Sequence, residues 1–156
     1  MIIKIVVVGK TRDDSLRSLE RSYLERLSRY TKVHRLVVRE VKCPQDQKAC
    51  RALQEEARAI LRKIGTEDFC VVLDSQGKEM TSLELANFFQ QHLLSAGRPL
   101  VFVIGGPLGL ADEVRKRANL FLSFSRFTMT HEMIRVLLVE QIYRAWTLIR
   151  GEKYHK

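Results

Sequence analysis

Apolar and polar positions follow two different periods along this chain. Runs of consecutive apolar residues stand near 2–8, 33–41, 69–74, 100–104 and 119–124, and each predicts a strand. Between them the apolar residues recur at three- and four-residue steps. Leu16, Leu19, Tyr23, Leu27 and Tyr30 predict a first helix, with Asp13 and Asp14 at its start. A second helix covers about 47–64, and a third begins at Thr81 or Ser82 and carries Leu85, Phe88, Phe89 and Leu93. The stretches VVLD and VFVIGG are apolar on both faces, as in a parallel sheet covered by helices on both sides. The alternation predicts an open, mainly parallel α/β sheet in a single domain over 1–156.

The last helix, from about Glu132 to Arg150, leaves almost no polar face: Met133, Ile134, Val136 to Val139, Ile142, Tyr143, Ala145, Trp146, Leu148 and Ile149 surround it. Such a helix must be covered nearly all round. Arg135, Glu140 and Arg144 are awkward in a core made by one chain, so the expectation is a symmetric dimer through this helix.

Composition narrows the class. Hydrophobic residues are 46% and charged residues 29% of 156, a globular balance. The opening IIKIVVV is too short for a signal-peptide core or a membrane span, which favours a cytoplasmic protein without a membrane partner. Cys43, Cys50 and Cys70 are odd in number and form no C-x-x-C, which disfavours zinc and disulfides. Lys and Arg number 27 against 18 Asp and Glu, giving +9, and a small basic domain commonly meets a polyanion. From Ala111 onward there are nine Lys and Arg against five Asp and Glu, and Arg115, Lys116 and Arg117 form a cluster suited to RNA backbone.

The chemistry is easier to place by exclusion. VVVGKT imitates the end of a phosphate-binding loop, but the first glycine of G-x-x-x-x-G-K-[ST] would have to stand at Lys4, inside a strand. THEMIR imitates half of H-E-x-x-H, but Arg135 stands where the second histidine belongs. GGPLG is not G-x-G-x-x-G, and no acidic residue closes a following strand to hold a ribose. What remains is three loops at three predicted carboxyl ends. VVLDSQGK ends in a turn at Gly77, VFVIGGPLGL ends in Gly105, Gly106 and Gly109, and LFLSFSRFTMTH ends in Ser125, Arg126, Thr128 and His131. Open α/β sheets bind ligands there. With no nucleophile elbow and no carboxylate pair, the profile suits a transfer in which a cofactor brings the reactive group and the protein positions it.

These residues resemble a known family. VFVIGGPLGL, LSFSRFTMTHEMIRVLLVEQIYRAW, RGEKYHK, the opening IKIVVVGK and the middle VVLDSQGK are similar over the whole chain to the SPOUT-class ribosomal RNA methyltransferases. Within that class the likeness is to those that methylate N3 of a pseudouridine in large-subunit (23S) rRNA. The resemblance implies a C-terminal trefoil knot, a homodimer, S-adenosylmethionine (SAM) as methyl donor without a metal, and rRNA in the ribosome or large subunit as partner rather than DNA. It implies SAM contacts at Leu73, Gly105, Phe124, Ser125, Arg126, Phe127, Thr128 and Met129, and RNA contacts at His131, Arg144, Tyr154, His155 and Lys156. The candidate catalytic residues are His131, Arg144 and His155, with the proton acceptor open between the two histidines. Thr130 stands where the family often has proline, and it is suited to cap the last helix. Two other classes remain: a non-catalytic RNA-binding assembly factor on the same fold, and a methyltransferase of another RNA such as tRNA.

Overall fold

A computed structural model describes residues 2–42, 49–95 and 97–154. Cys43, His155 and Lys156 lie outside the described residues. The chain runs β1 (Ile2–Val8), α1 (Asp14–Leu27), β2 (Lys32–Val38), α2 (Ala49–Leu61), β3 (Phe69–Glu79), α3 (Ser82–Ser95), β4 (Leu100–Ile104), α4 (Asp112–Arg117), β5 (Leu120–Ser123) and α5 (His131–Ile149). The strands lie in the order β2-β1-β4-β3-β5, and every neighbouring pair is parallel. This is the α/β sheet that the apolar runs predict.

The period of two along each strand divides the core. Ile3, Ile5 and Val7 of β1 face one way and join Phe102 of β4 with Leu27, Leu85, Phe89, Leu138 and Ile142. Val6 and Val8 face the other way, with Val101 and Val103, under Ala57, Ile60 and Val114. One face therefore carries α1, α3 and α5, and the other carries α2 and α4. The steps β1 to β2 and β3 to β4 go one way along the sheet, with α1 and α3 on the first face. The steps β2 to β3 and β4 to β5 reverse both direction and face, which keeps a single hand of crossover.

The helix starts follow side-chain chemistry. The Asp13 carboxylate accepts the Leu16 N–H at 2.9 Å, and the Thr130 hydroxyl accepts the Met133 N–H at 3.2 Å, so Thr130 does cap α5. The short helix α4 has no periodic signal in the sequence: DEVRKR carries one apolar residue, Val114, and six positions are too few to show a period. Cys70 is buried in β3, where burial pushes its thiol up to about 11.

Two expectations need correction. First, β3 does not end in a turn at Gly77. It continues to Glu79 through an irregularity in which both Leu73 and Lys78 pair with Leu122 of β5. A Cβ at Gly77 would stand 2.7 Å from the Phe121 carbonyl carbon and 2.8 Å from the Leu122 nitrogen. The glycine is there because two backbones touch. Gly77→Ala would push β3 and β5 apart, and we expect it to cost about 1–3 kcal/mol. A thermal melt indistinguishable from wild type would contradict this packing.

Second, Arg135 does not need a partner subunit. It is fully buried within its own chain, where its Nη2 donates to the Val8 carbonyl and its Nη1 to Thr11 Oγ1 at 3.1 Å. Glu140 and Arg144 pair with each other at 2.7 Å, half-buried, on the α5 surface. Of Arg135, Glu140 and Arg144, the first is bonded in the core through both Nη atoms, with its buried Nε left without a hydrogen bond among the described residues, and the other two pair with one another.

Candidate active site

The middle of β3 at its irregularity and the carboxyl ends of β4 and β5 enclose a cleft of about 490 Å³. That is within the usual range for small-molecule sites. Of the eight positions expected to hold the cofactor, seven line it: Leu73, Gly105, Phe124, Ser125, Phe127, Thr128 and Met129. His131, at the first turn of α5, lines it too. Arg126 does not; it pairs with Glu79 at 3.3 Å and borders a neighbouring hollow.

Each wall has a local cause. The GGPLG stretch folds back on itself, with Gly109 N–H donating to Gly106 O at 3.0 Å. A Cβ at Gly105 would meet the Gly109 carbonyl oxygen at 2.8 Å, so this turn is closed to any side chain there. The opposite wall is fixed by serine hydroxyls. Ser123 Oγ donates to Ser125 O at 3.0 Å and accepts from Ser125 N–H at 3.2 Å, while Ser125 Oγ accepts the Phe127 N–H at 3.0 Å. These bonds leave the Phe127 ring 82% exposed beside the cleft.

Two further cleft residues carry no signal in the sequence for a place in this site, Arg115 being expected only at RNA backbone. Asp74 and Arg115 form an ion pair on the cleft wall, with the guanidinium also 5.0 Å from the Phe121 ring centroid. The Gln76 N–H and then the Arg115 guanidinium hold the Asp74 carboxyl below the usual carboxylate range. No period in the sequence pairs positions 74 and 115; the short helix α4 brings them together. Arg117 is likewise engaged, donating to the carbonyls of Gly65 and Asp68 at 2.8 Å. Of the basic cluster expected to meet RNA backbone, only Lys116 is left without such a bond among the described residues.

His131 is set by what lies beneath it. The Glu132 carboxylate accepts the Arg12 N–H at 3.0 and 3.1 Å and the Asp13 N–H at 3.1 Å, bonding the first turn of α5 to the start of α1. Burial pushes the Glu132 carboxyl up, but these N–H groups and the Arg135 cation together hold it below its ordinary value. Thr11 Oγ1 donates to Glu20 at 2.8 Å and accepts from Arg35 and Arg135, both at 3.1 Å. The GKT stretch that imitates a phosphate loop is thus the seat of α5. Burial, and then the Arg135 charge, lower the His131 imidazole below its ordinary value, against the pull of Glu132 and Glu40. Its neutral form, able to accept a proton, is the one present at neutral pH.

Arg144 and Tyr154 lie elsewhere. Thirteen residues along α5 separate Arg144 from His131, about 20 Å at the helical rise. Arg144 sits 5.0 Å from the Tyr154 ring, and that ring packs edge-on to Tyr143 at 4.8 Å. The Tyr154 hydroxyl is 3.2 Å from that of Tyr23 and 3.3 Å from Glu140. The tail is therefore docked on α1 and α5 as far as Tyr154. His92 stands apart from the cleft, bonded to the Arg98 carbonyl at 2.9 Å among Phe69 and Phe88. Among the described residues no cluster of His, Cys, Asp and Glu could hold a metal, and no helix is long and apolar enough to cross a membrane.

Comparison with known proteins decides the family. A family model described as a predicted SPOUT methyltransferase matches residues 1–155. The chain belongs to the SPOUT methyltransferase family. Relatives of this SPOUT chain include the ribosomal RNA large subunit methyltransferase H of Caldicellulosiruptor saccharolyticus, 39% identical over 99% of this chain and 100% of that protein. The protein of the same name from Carboxydothermus hydrogenoformans is 41% identical over the full length of both. Among solved structures, a probable methylase family protein from Haemophilus influenzae Rd KW20 matches with a TM-score of 0.57 and 12% identity. It covers 99% of this chain and 70% of that one, and at such identity the likeness concerns the fold alone.

Proposed function

We propose that this SPOUT protein transfers a methyl group from SAM to N3 of a pseudouridine in 23S rRNA, acting in the cytoplasm as a single-domain homodimer on the ribosome or large subunit. The observation that carries the reading is the cleft, which gathers seven expected cofactor positions and His131, whose imidazole is held by burial below its ordinary value. Its residues suit the donor. Leu73, Ile104, Leu110, Leu122, Phe124 and Ile134 offer apolar walls, while Ser75, Thr128 and the backbone around Gly105 offer polar atoms at the edges. SAM, when bound, supplies an electrophilic methyl group. With SAM held there, the N3–methyl bond would form as the methyl–sulfur bond broke, and His131, on the cleft wall, would be placed to take the N3 proton. Relatives named for large-subunit rRNA support the substrate.

The 20 Å between His131 and Arg144 supports the dimer. A site using both must take Arg144 and Tyr154 from a second copy, and the exposed Met133 and Leu148 on α5 give that copy apolar surface to cover. The knot that the resemblance implies belongs to the same reading, with the 123–130 segment as its cofactor loop.

The test is incubation with methyl-labelled SAM and ribosomes from cells lacking the modification, followed by nucleoside identification. Label on N3-methylpseudouridine is the expected result. Label on another nucleoside, or none with SAM binding intact by calorimetry, would keep the cleft and discard the substrate. Absence of SAM binding would discard the cleft assignment.

A further inference from the structure

Two of the three clustered cations that the sequence offers for RNA backbone are engaged, Arg115 with Asp74 and Arg117 with backbone carbonyls, and Arg126 beside the cleft pairs with Glu79. At the same end of the sheet as the cleft, three others are not. Lys10, Arg39 and Lys42 are exposed, and their side chains make no ion pair or hydrogen bond among the described residues.

Their placement follows from register. Val8 of β1 pairs with Val38 of β2, and Gly9 N–H donates to Val38 O at 2.8 Å. Lys10 and Arg39 thus follow the carboxyl ends of neighbouring parallel strands within one residue of the same level, with Lys42 three residues on from Arg39. Lys42 also lines a second hollow, of about 400 Å³, together with Arg12, Glu40, Glu56, Pro107 and Leu108. Pro107 lines both this hollow and the cleft, so the two share a wall. The acidic groups here are already occupied. Glu40 pairs with Arg12 at 2.7 Å, and Glu56 is buried, accepts the Val41 N–H at 2.8 Å, and is shifted by burial toward its neutral form.

We infer that Lys10, Arg39 and Lys42 form a phosphate-binding rim, which holds the RNA strand as it enters the cleft over Pro107. The inference rests on the RNA-methyltransferase reading and deepens it. The rim carries charge without base-reading geometry, so it sets position and affinity while the cleft selects the base. Each phosphate contact releases condensed counterions, so the rim should account for part of the salt dependence of binding.

The experiment measures binding to large ribosomal subunits from cells lacking the modification, as a function of salt, with SAM affinity measured by calorimetry alongside. Lys10→Gln, Arg39→Gln and Lys42→Gln together should lower the slope of log affinity against log salt by about 2–3, at roughly 0.7–0.9 per contact, and leave SAM affinity unchanged. The control removes the same charge at the opposite edge of the sheet: Lys32→Gln at the start of β2, with Arg62→Gln and Lys63→Gln just beyond α2. Its slope should match wild type. Equal loss in both triple variants, or no loss in the rim variant, overturns the inference while leaving the enzyme reading in place. Wild-type protein that binds SAM but no subunits at any salt overturns the substrate reading, and the rim with it.

Discussion

Arg135→Ala is expected to lower stability by about 3–5 kcal/mol, because it empties one of the largest fully buried side-chain sites in the protein. It also leaves the Val8 carbonyl without its guanidinium partner in a place that excludes water. Glu20 is not orphaned, since Arg35 holds it at 2.6 Å with its side chain a quarter exposed. The loss is therefore one of packing and hydrogen bonding more than of charge pairing. For a chain of this size it corresponds to a melting temperature lower by roughly 6–20 °C, read by calorimetry. Arg135→Met separates the two contributions. It refills much of the volume and leaves only the carbonyl unmet, so it should cost about 1–3 kcal/mol. It also removes the cation that helps keep His131 neutral, so the acid limb of the pH–rate profile should move upward. A melt for Arg135→Ala within about 1 kcal/mol of wild type would refute the role given to this core network.

The second large effect concerns His131 itself. If it accepts the N3 proton, His131→Ala should reduce kcat by about 10²–10⁴, the usual contribution of a positioned base, with a smaller change in KM for SAM. The pH dependence has a definite sign. Because the folded-state pKa is lowered, first by burial and then by Arg135, the neutral base predominates above the ordinary imidazole value of 6.5. The acid limb, where the imidazole protonates and the rate falls, should therefore be centred below 6.5. An acid limb centred at or above 6.5, or full activity in His131→Ala, would move the proton to another group. The same shift makes His131 a source of acid lability. The unfolded chain binds the proton more readily, so stability is lost as pH falls from 6.5 through the folded-state value.

The glycine and serine chemistry of the cleft is legible in the sequence because it is local. VFVIGG is a strand that must end at its glycines, and FSRFTMTH is a polar stretch leading into a capped helix, so local chemistry alone places both loops at strand ends. Gly77 is ambiguous for a related reason. A glycine marks either a turn or a close approach, and only the backbone of β5 at 2.7 Å distinguishes the two. The three charges on α5 mislead through burial. A sequence shows that Arg135 falls on an apolar face, but not that Val8 O and Thr11 Oγ1 wait beneath it.

The sequence by itself determined the family and every element but α4 and the far end of β3: strand runs apolar on both faces, helices with caps at Asp13 and Thr130, and motifs that extend from IKIVVVGK to the SPOUT-like closing helix. Those are properties of neighbouring residues, governed by periods of two and 3.6 and by hydrogen bonds reaching three residues. The tertiary structure decided what depends on distant residues. It set Asp74 against Arg115, bonded Glu132 to the start of α1, separated Arg144 from His131 along one helix, and brought Lys10 and Arg39 to the same end of neighbouring strands. Strand order and register bring such pairs together, and no local period encodes either.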